Sequence, residues 1–172
     1  MELGLTNKVA LVTGGSLGIG AATAKLLAQE GATIAISARR ENELNATAAQ
    51  IREETGAEVV PISADCTLET DVNSVVRQVI DRHGRIDILV NSVGDAKAGN
   101  FLELSEEDWQ QSLALKLMGQ IRMAKEVFPH MQKQKWGRIV NVIGTHAWLA
   151  EAHAMPAGVA NAGLLNFTRA LA

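Results

Sequence analysis

Apolar residues follow two different patterns along this chain. Continuous apolar runs of about five residues are typical of strands that are buried on both faces. Longer stretches between them carry apolar residues at helical spacing. The pattern predicts five strands, at residues 8–12, 32–37, 58–62, 86–90 and 138–142. It predicts five helices, at residues 18–30, 41–55, 69–83, 105–134 and 156–172. This alternation favours an α/β fold with a doubly wound parallel sheet.

Glycine, serine and proline mark several of the predicted helix ends. Gly31, Gly56 and Gly84 each follow a predicted helix, where glycine commonly ends one. Ser105 opens the longest helix in a capping pattern, and Pro129 is expected to bend that helix near its end. Because no linker or repeat interrupts the pattern, residues 1–172 are predicted to form one domain.

Composition excludes several classes of function. The chain has 172 residues, of which 47% are apolar and 20% are charged, with a net charge of −3. Acids and bases are interspersed, so a nucleic-acid partner is not expected, and no apolar run approaches the length that crosses a membrane. The single cysteine and the early first strand favour a cytoplasmic protein without a signal peptide.

The segment from Thr13 to Gly20 reads T-G-G-S-L-G-I-G, between a predicted strand and a predicted helix. Glycine lets the backbone approach a pyrophosphate, and a helix N-terminus supplies free N–H groups. This order predicts a dinucleotide-binding loop. Its candidate binding residues are Gly14, Ser16, Gly18, Ile19 and Gly20. The alternative interpretation is a tight structural turn.

Two arginines follow the second predicted strand. Arg39 and Arg40 come directly after Ala38, in a region where an acidic residue would grip the ribose hydroxyls of NAD. A guanidinium instead suits a 2′-phosphate through charge-assisted hydrogen bonds. NADP is therefore predicted in preference to NAD. A solvated arginine pair at a helix N-terminus is the alternative.

These motifs together identify a family resemblance. The glycine loop is followed in order by Asp65, Asn91-Ser-Val-Gly94 and Gly137-Arg-Ile-Val-Asn141. From about residue 9 to residue 172 the chain resembles the short-chain dehydrogenase/reductase family in its NADP-type form. It looks most like the bacterial 3-oxoacyl-carrier-protein reductases and the sugar or steroid dehydrogenases. The resemblance implies a Rossmann-type sheet and NAD(P) as cofactor. Family members continue for two further strands, which are expected to be missing here.

The resemblance assigns further cofactor contacts. The Asp65 carboxylate would accept a hydrogen bond from the adenine amino group, beside the N–H of Cys66, although a helix-capping role for Asp65 stays open. The Cys66 side chain is expected to be a small buried filler. Asn91 would stabilise the central sheet. Gly94 would belong to a short segment that lets the cofactor ribose approach, in which Val93 is bulkier than the usual alanine.

The catalytic segment departs from the family pattern. The family uses asparagine, serine, tyrosine and lysine, with the tyrosine hydroxyl as the proton donor. The corresponding positions here are Lys116, Gly144, Ala157 and Asn161, and the chain contains no tyrosine. Lys116 and Asn161 hold two of the family's residue types in exchanged places. Either the pair is a functional exchange or the two positions drifted independently.

Thr145, His146 and His153 flank the altered positions and are candidate substitutes. Histidine titrates near neutral pH and could replace a lost acid. The alternative is that all three are loop residues satisfied by water. No serine-hydrolase elbow is present, and no metal site is predicted, since His146, Glu151 and His153 make a weak ligand set.

Two functions follow from these patterns. The first is an atypical NADP-dependent oxidoreductase that moves hydride between the nicotinamide and a small carbonyl or alcohol. The second is a non-catalytic NADP-binding sensor or regulatory subunit. The resemblance implies a homodimer or tetramer formed through the long helix 105–134 and the last helix.

Overall fold

Five parallel strands form the centre of the molecule, in the order β3-β2-β1-β4-β5. The computed structural model describes residues 3–172. The strands are β1 Val9–Thr13, β2 Thr33–Ala38, β3 Val59–Ser63, β4 Ile88–Asn91 and β5 Arg138–Asn141. The helices are α1 Gly18–Gln29, α2 Glu41–Thr55, α3 Glu69–His83, α4 Glu106–Leu113, α5 Gln120–Gln134 and α6 Met155–Leu171. The predicted parallel α/β fold is confirmed.

Helices cover both faces of the sheet because successive strand residues point to opposite sides. On one face, Leu11 and Leu89 pack in a core with Val76 of α3 and Val127 of α5. On the other face, residues such as Val12 and Ile36 pack against α1 and α2. All five residues of β1 are buried, which explains why this segment reads as a continuous apolar run.

The strand bounds differ slightly from the prediction. Strands β1, β2 and β3 each lie one residue later along the chain than predicted. Strand β4 begins at Ile88 rather than at residue 86, because the N–H of Ile86 donates to the Gln134 side chain. The neighbouring Asp87 carboxylate is fully buried and accepts hydrogen bonds from Val9 N–H and from Arg85.

The long helix predicted over residues 105–134 is divided into three segments. Helix α4 begins with the predicted cap, in which Ser105 and Asp108 satisfy each other's backbone N–H groups. A π-helical segment, Ala114–Gly119, then joins α4 to α5. Pro129 lies inside α5. A π-helical segment inside an α-helix frequently marks a functional site, and this one carries Lys116.

The carboxyl ends of all five strands meet at one edge of the sheet. The loops after β1, β2, β4 and β5 therefore leave from the same side of the molecule, where α/β folds bind ligands. Across residues 3–172, no helix combines the length and the apolar character that crossing a membrane requires.

Candidate functional site

The glycine loop after β1 leaves the first turn of α1 open to a ligand. Gly14 and Gly18 have positive φ angles of 67° and 56°, which favour glycine. Leu17, the residue before α1, makes no side-chain cap. The first N–H groups of α1 therefore lack a side-chain partner, which suits an anion.

The loop is also held tightly against its neighbours. A Cβ atom at Gly14 would lie 2.7 Å from the carbonyl oxygen of Ser92, and one at Gly20 would overlap the carbonyl of Gly14. Thr47 donates a hydrogen bond of 2.6 Å to the Ser16 carbonyl. Ile19, by contrast, is 64% exposed. The glycines at 14 and 20 thus have a packing role besides any role in binding.

A cleft of about 620 Å³ opens over this loop, and we call it the edge cleft. It is lined by Gly14, Ser16, Leu17, Ser37, Ala38, Arg39, Arg40, Ala64, Cys66, Ser92, Val93, Gly94, Asp95 and Leu115. A second cavity of about 670 Å³ shares Arg39, Asp95 and Leu115 with it, so the two cavities adjoin. The Ser37 hydroxyl is buried and has no hydrogen-bond partner within residues 3–172, so the cleft holds an unsatisfied polar group.

The two arginines after β2 have different surroundings. Arg40 forms an ion pair of 3.3 Å with Glu43 on the first turn of α2. Arg39 lines both cavities, and no ion pair of the described residues includes it. Arg39 is therefore the cation that is better placed to meet a ligand anion.

Asp65 and Cys66 follow β3 with distinct roles. The Asp65 carboxylate accepts a hydrogen bond of 2.8 Å from the N–H of Thr67 and also lines the second cavity. The capping role and exposure to a ligand therefore coexist. Cys66 is buried, and desolvation raises the pKa of its thiol to about 11. It is an inert filler at neutral pH.

A chain of buried and half-buried polar side chains joins the sheet to α6. Thr13 donates to Asn91, Asn91 donates to Asn141 at 3.0 Å, and Asn141 donates to Thr168 at 2.9 Å. Asn91 has no exposed surface. Its side chain ties β1, β4 and β5 together rather than reaching the cleft.

Lys116 lies against the loop after β4. A Cβ atom at Gly94 would lie 3.0 Å from Lys116 Nζ, so the ammonium adjoins a residue of the edge cleft. Burial lowers the pKa of Lys116, and the nearby Asp95 carboxylate opposes that change. No hydrogen bond joins Lys116 to Asn161 in the part of the chain that the structure describes.

Asn161 instead contacts the loop after β5. The N–H of Gly144 donates to Asn161 Oδ1 at 3.2 Å. A Cβ atom at Gly144 would lie 2.8 Å from Asn161 Nδ2. Asn161 is 1% exposed. Its amide therefore occupies the space that a side chain at position 144 would need.

Ala157 presents a methyl group in the first turns of α6. His146 lies near the next residue, since a Cβ atom at Gly158 would be 3.4 Å from the His146 carbonyl oxygen. His146 Nδ1 is buried and lies 3.4 Å from a Glu151 carboxylate oxygen, without hydrogen-bond geometry. Thr145 and His153 are exposed. The backbone of His146 therefore lies against the first turns of α6.

Comparison with known proteins identifies the family. The family model for short chain dehydrogenase matches residues 8–172. The chain belongs to this family.

The curated relatives and solved structures agree with this assignment. The chain is 39% identical over 170 residues to the (2S)-[(R)-hydroxy(phenyl)methyl]succinyl-CoA dehydrogenase subunit BbsD of Thauera aromatica, with 99% of this chain and 68% of the relative covered. It is 33% identical to the 3-oxoacyl-[acyl-carrier-protein] reductase FabG of Aquifex aeolicus, with 100% of this chain and 69% of that protein covered. It therefore resembles reductases of the FabG type.

Two solved structures of the family superpose closely. L-Sorbose reductase from Gluconobacter frateurii, complexed with NADPH and L-sorbose, has a TM-score of 0.95 at 32% identity, with 99% of this chain and 65% of that chain covered. NAD⁺-bound xylitol dehydrogenase has a TM-score of 0.94 at 30% identity, with 98% of this chain and 65% of that chain covered. The chain thus spans about two thirds of the length of these proteins.

The residues of the edge cleft fit a nicotinamide dinucleotide. The uncapped α1 N-terminus suits a diphosphate, and the buried Ser37 hydroxyl needs a partner. The close approach at Gly14 shows why a side chain there is excluded. Ala157, in contrast, does not line the edge cleft or the second cavity.

Sequence reasoning missed several polar residues of this site. Ser37, Asn141 and Gln120 were not predicted as site residues, although all are buried or partly buried there. Gln120 donates to the Val93 carbonyl at 2.8 Å and so supports the loop that holds Gly94. Asn141 pairs in register with Asn91. A polar residue at the end of each parallel strand was the signal that could have found Ser37 and Asn141.

Proposed function

We propose that the chain binds NADP(H) in the edge cleft and acts as an atypical oxidoreductase on a small carbonyl or alcohol. The observation that carries the proposal lies at the end of β2. Arg39 lines the cleft without an acidic partner there, and Ala38 stands where an acid would favour NAD. A free guanidinium beside a cleft of this kind favours the 2′-phosphate of NADP. One solved relative carries NAD⁺, so the preference rests on these residues.

Each part of the cleft has a separate task in this proposal. The glycine loop and the α1 N-terminus bind the diphosphate, Arg39 binds the 2′-phosphate, and Asp65 meets the adenine. When bound, the cofactor supplies or accepts the hydride. Lys116 provides positive charge beside Gly94, where it would bind ribose hydroxyls or hold a water molecule.

The oxidoreductase activity proposed here is slow. A general acid or base contributes about 10²–10⁴ in rate, and Ala157 removes the hydroxyl that would supply it. The proton must then come from water or from His146, which lies beside α6. Conventional ketone reduction is therefore expected to be weak.

The substrate class is proposed from the relatives. Their names specify a succinyl-CoA derivative and 3-oxoacyl groups on a carrier protein. Both are acyl thioesters with an oxygen function on the acyl chain. We propose a 3-oxoacyl or 3-hydroxyacyl thioester as the substrate.

Two measurements test the proposed function. NADPH and NADH dissociation constants are compared at one salt concentration, and NADPH is expected to bind at least about tenfold more tightly. NADPH oxidation is then followed with acetoacetyl thioesters and simple ketones. Turnover is expected well below the roughly 10 per second that is typical of enzymes. Equal affinities for the two cofactors would contradict the proposal, and so would ordinary turnover.

A non-catalytic NADP-binding subunit is the second candidate. The methyl group of Ala157, at the position of the proton donor, favours it. Tight NADPH binding without turnover of any substrate in the panel would select this candidate. Measurable NADPH oxidation that depends on the carbonyl compound would select the first.

We further propose that copies of the protein pair through the outer faces of the long helices. Met118, Phe128 and Val159 are 40%, 40% and 50% exposed on the π-helical segment, α5 and α6 respectively. Such exposed apolar side chains are typical of subunit interfaces. Light scattering after gel filtration tests this proposal, and a monomer at micromolar concentration would contradict it.

A further inference from the structure

The hydroxyl group of Ser37 is a buried polar group that the protein leaves unsatisfied. Ser37 is 1% exposed, and its Oγ atom has no hydrogen-bond partner within residues 3–172. The Ser37 backbone, in contrast, is paired, since its carbonyl accepts a hydrogen bond of 3.1 Å from the N–H of Gly15. Most buried hydroxyl groups in proteins have a partner, and one without a partner lowers stability. The side chain is therefore a binding group for an acceptor that the chain itself does not supply.

The position of Ser37 in the sheet indicates where that acceptor lies. Ser37 is one of the residues that line the edge cleft. Because successive strand residues alternate between the two faces, its side chain lies on the same face of the sheet as Ala35. The core on that face includes Cys66 and Leu115, which line the edge cleft as well. The hydroxyl thus belongs to the part of the cleft between the ends of β2 and β3 and the π-helical segment.

The walls of this part of the cleft indicate which chemical group it receives. Ala64, Leu115 and the neutral thiol of Cys66 present apolar surface there. Apolar walls suit a flat aromatic ring, whereas the cation of Arg39, beyond the end of β2, suits a phosphate. A purine ring carries acceptor nitrogens at its edge, and a serine hydroxyl can donate to one of them.

We propose that the Ser37 hydroxyl donates a hydrogen bond to a ring nitrogen of the adenine of the cofactor, an inference that rests on the proposed function. In that function the Asp65 carboxylate accepts from the exocyclic amino group. Ser37 would add a donor to this acceptor, so that two residues recognise the edge of the ring. The hydroxyl turns about a single torsion, χ1, and is redirected without movement of the backbone. Ser37 would bind the cofactor without touching its reacting end.

A fragment of the cofactor tests the proposal without any turnover. The probe is adenosine 2′,5′-bisphosphate, which carries the adenine and the 2′-phosphate but no nicotinamide. Calorimetric titration gives its dissociation constant and that of NADPH. Ser37→Ala removes only the hydroxyl and should weaken both ligands by the same factor, about fivefold to tenfold. Ser74→Ala is the matched control, because Ser74 lies on α3 and lines neither cavity, and it should bind both ligands as the wild type does.

The protein without ligand gives a signature of opposite sign. Because Ser37→Ala removes an unsatisfied buried group, its melting temperature without ligand should equal or exceed that of the wild type. A hydroxyl with a purely structural role would instead give a lower melting temperature and an unchanged affinity for the probe. Either of those two results would overturn the proposal.

Three analogues of the probe identify the acceptor atom. The 1-deaza, 3-deaza and 7-deaza forms each replace one ring nitrogen of the adenine with a C–H group. One of them should bind the wild type about fivefold or more weakly than the probe does, and Ser37→Ala should weaken that analogue no further. An equal effect of Ser37→Ala on the probe and on all three analogues would overturn the proposal. A wild type that binds neither the probe nor NADPH would instead overturn the proposed function, and this inference with it.

Discussion

Gly144 and Asn161 are matched to each other across the gap between β5 and α6. The amide of Asn161 accepts a hydrogen bond from the Gly144 backbone and fills the volume beside its Cα atom. Gly144 has φ −75° and ψ 155°, a conformation that any residue adopts. Glycine is therefore needed there for space and not for backbone freedom.

We expect Gly144→Ala to destabilise the protein by about 1–3 kcal/mol, because the added methyl displaces a buried amide. In the Asn161→Ala background the same change should be neutral or slightly stabilising, since alanine restricts the unfolded chain. Urea unfolding of the four proteins measures the coupling. Gly158→Ala is the control, because its Cβ atom would make an ordinary contact of 3.4 Å. Equal effects of Gly144→Ala in both backgrounds would contradict the matched pair.

We expect Arg39→Gln to weaken NADPH binding by about tenfold or more and to leave NADH binding nearly unchanged. Arg40→Gln should have a smaller effect, because Arg40 is already paired with Glu43. Fluorescence titration measures both affinities. Arg77→Gln is a control at an exposed position of α3. A larger loss in Arg40→Gln than in Arg39→Gln would reverse the assignment.

The glycines at 18 and 20 should differ in what they tolerate. A Cβ atom at Gly20 meets the Gly14 carbonyl, whereas one at Gly18 meets no atom within 4 Å. A side chain at Gly20 is therefore expected to disturb the fold of the loop as well as the binding of a ligand. We expect Gly20→Ala to lower the melting temperature and cofactor affinity together. Gly18→Ala should lower the free energy of unfolding by about 1–3 kcal/mol, because alanine is strained at the φ of 56° that this position has. Thermal melts with and without NADPH separate these effects, and a Gly20→Ala protein with wild-type stability would refute this explanation.

Lys116→Met should stabilise the protein at neutral pH. Burial lowers the pKa of Lys116 in the folded state below its ordinary value of 10.5. At pH values between the folded and the unfolded pKa, the unfolded chain therefore binds more protons than the folded chain. Stability of the wild type therefore rises with pH through that window. The advantage of Lys116→Met should be largest at pH 7 and should shrink towards pH 10. Melting temperatures at both pH values check this, with the exposed Lys125→Met as control. An advantage that does not change with pH would contradict it.

The exchange of Lys116 and Asn161 has a separate test. Because Lys116 adjoins Gly94 and Asn161 adjoins Gly144, the two side chains belong to different loops. A double-mutant cycle on NADPH binding should therefore be additive within about 0.5 kcal/mol. A coupling energy above about 1 kcal/mol would instead support a functional exchange of the two residues.

Cys66 should resist thiol reagents in the folded protein. Burial raises the pKa of its thiol to about 11, so little thiolate exists at pH 8. Dithionitrobenzoate should react slowly in buffer and rapidly in urea. The stability that this neutral thiol contributes is fully present below the ordinary pKa of 9.0 and is lost as the pH rises through about 11. Rapid labelling of the native protein would show that the site is open.

Local patterns determined most of the fold. The glycine loop, the alternation of strands and helices, and the cap at Ser105 depend on residues close together in the chain. Their physical causes, such as backbone freedom and periodic burial, are visible in the sequence. The bounds of α2 and α3 match the prediction at both ends for this reason. The motif after β1 likewise predicted a binding loop at this edge of the sheet, where the structure has the edge cleft.

The tertiary structure alone decided how the altered positions are used. The sequence places Gly144 and Asn161 far apart, and nothing local predicts that an amide fills the space beside a glycine. The π-helical segment ends against Cys66, a residue distant in sequence, which a Cβ atom at Gly119 would approach to 3.2 Å. The isolation of the Ser37 hydroxyl also depends on which strands and loops surround it. Such features arise where distant segments meet, and their energies depend on distances that no one-dimensional pattern contains.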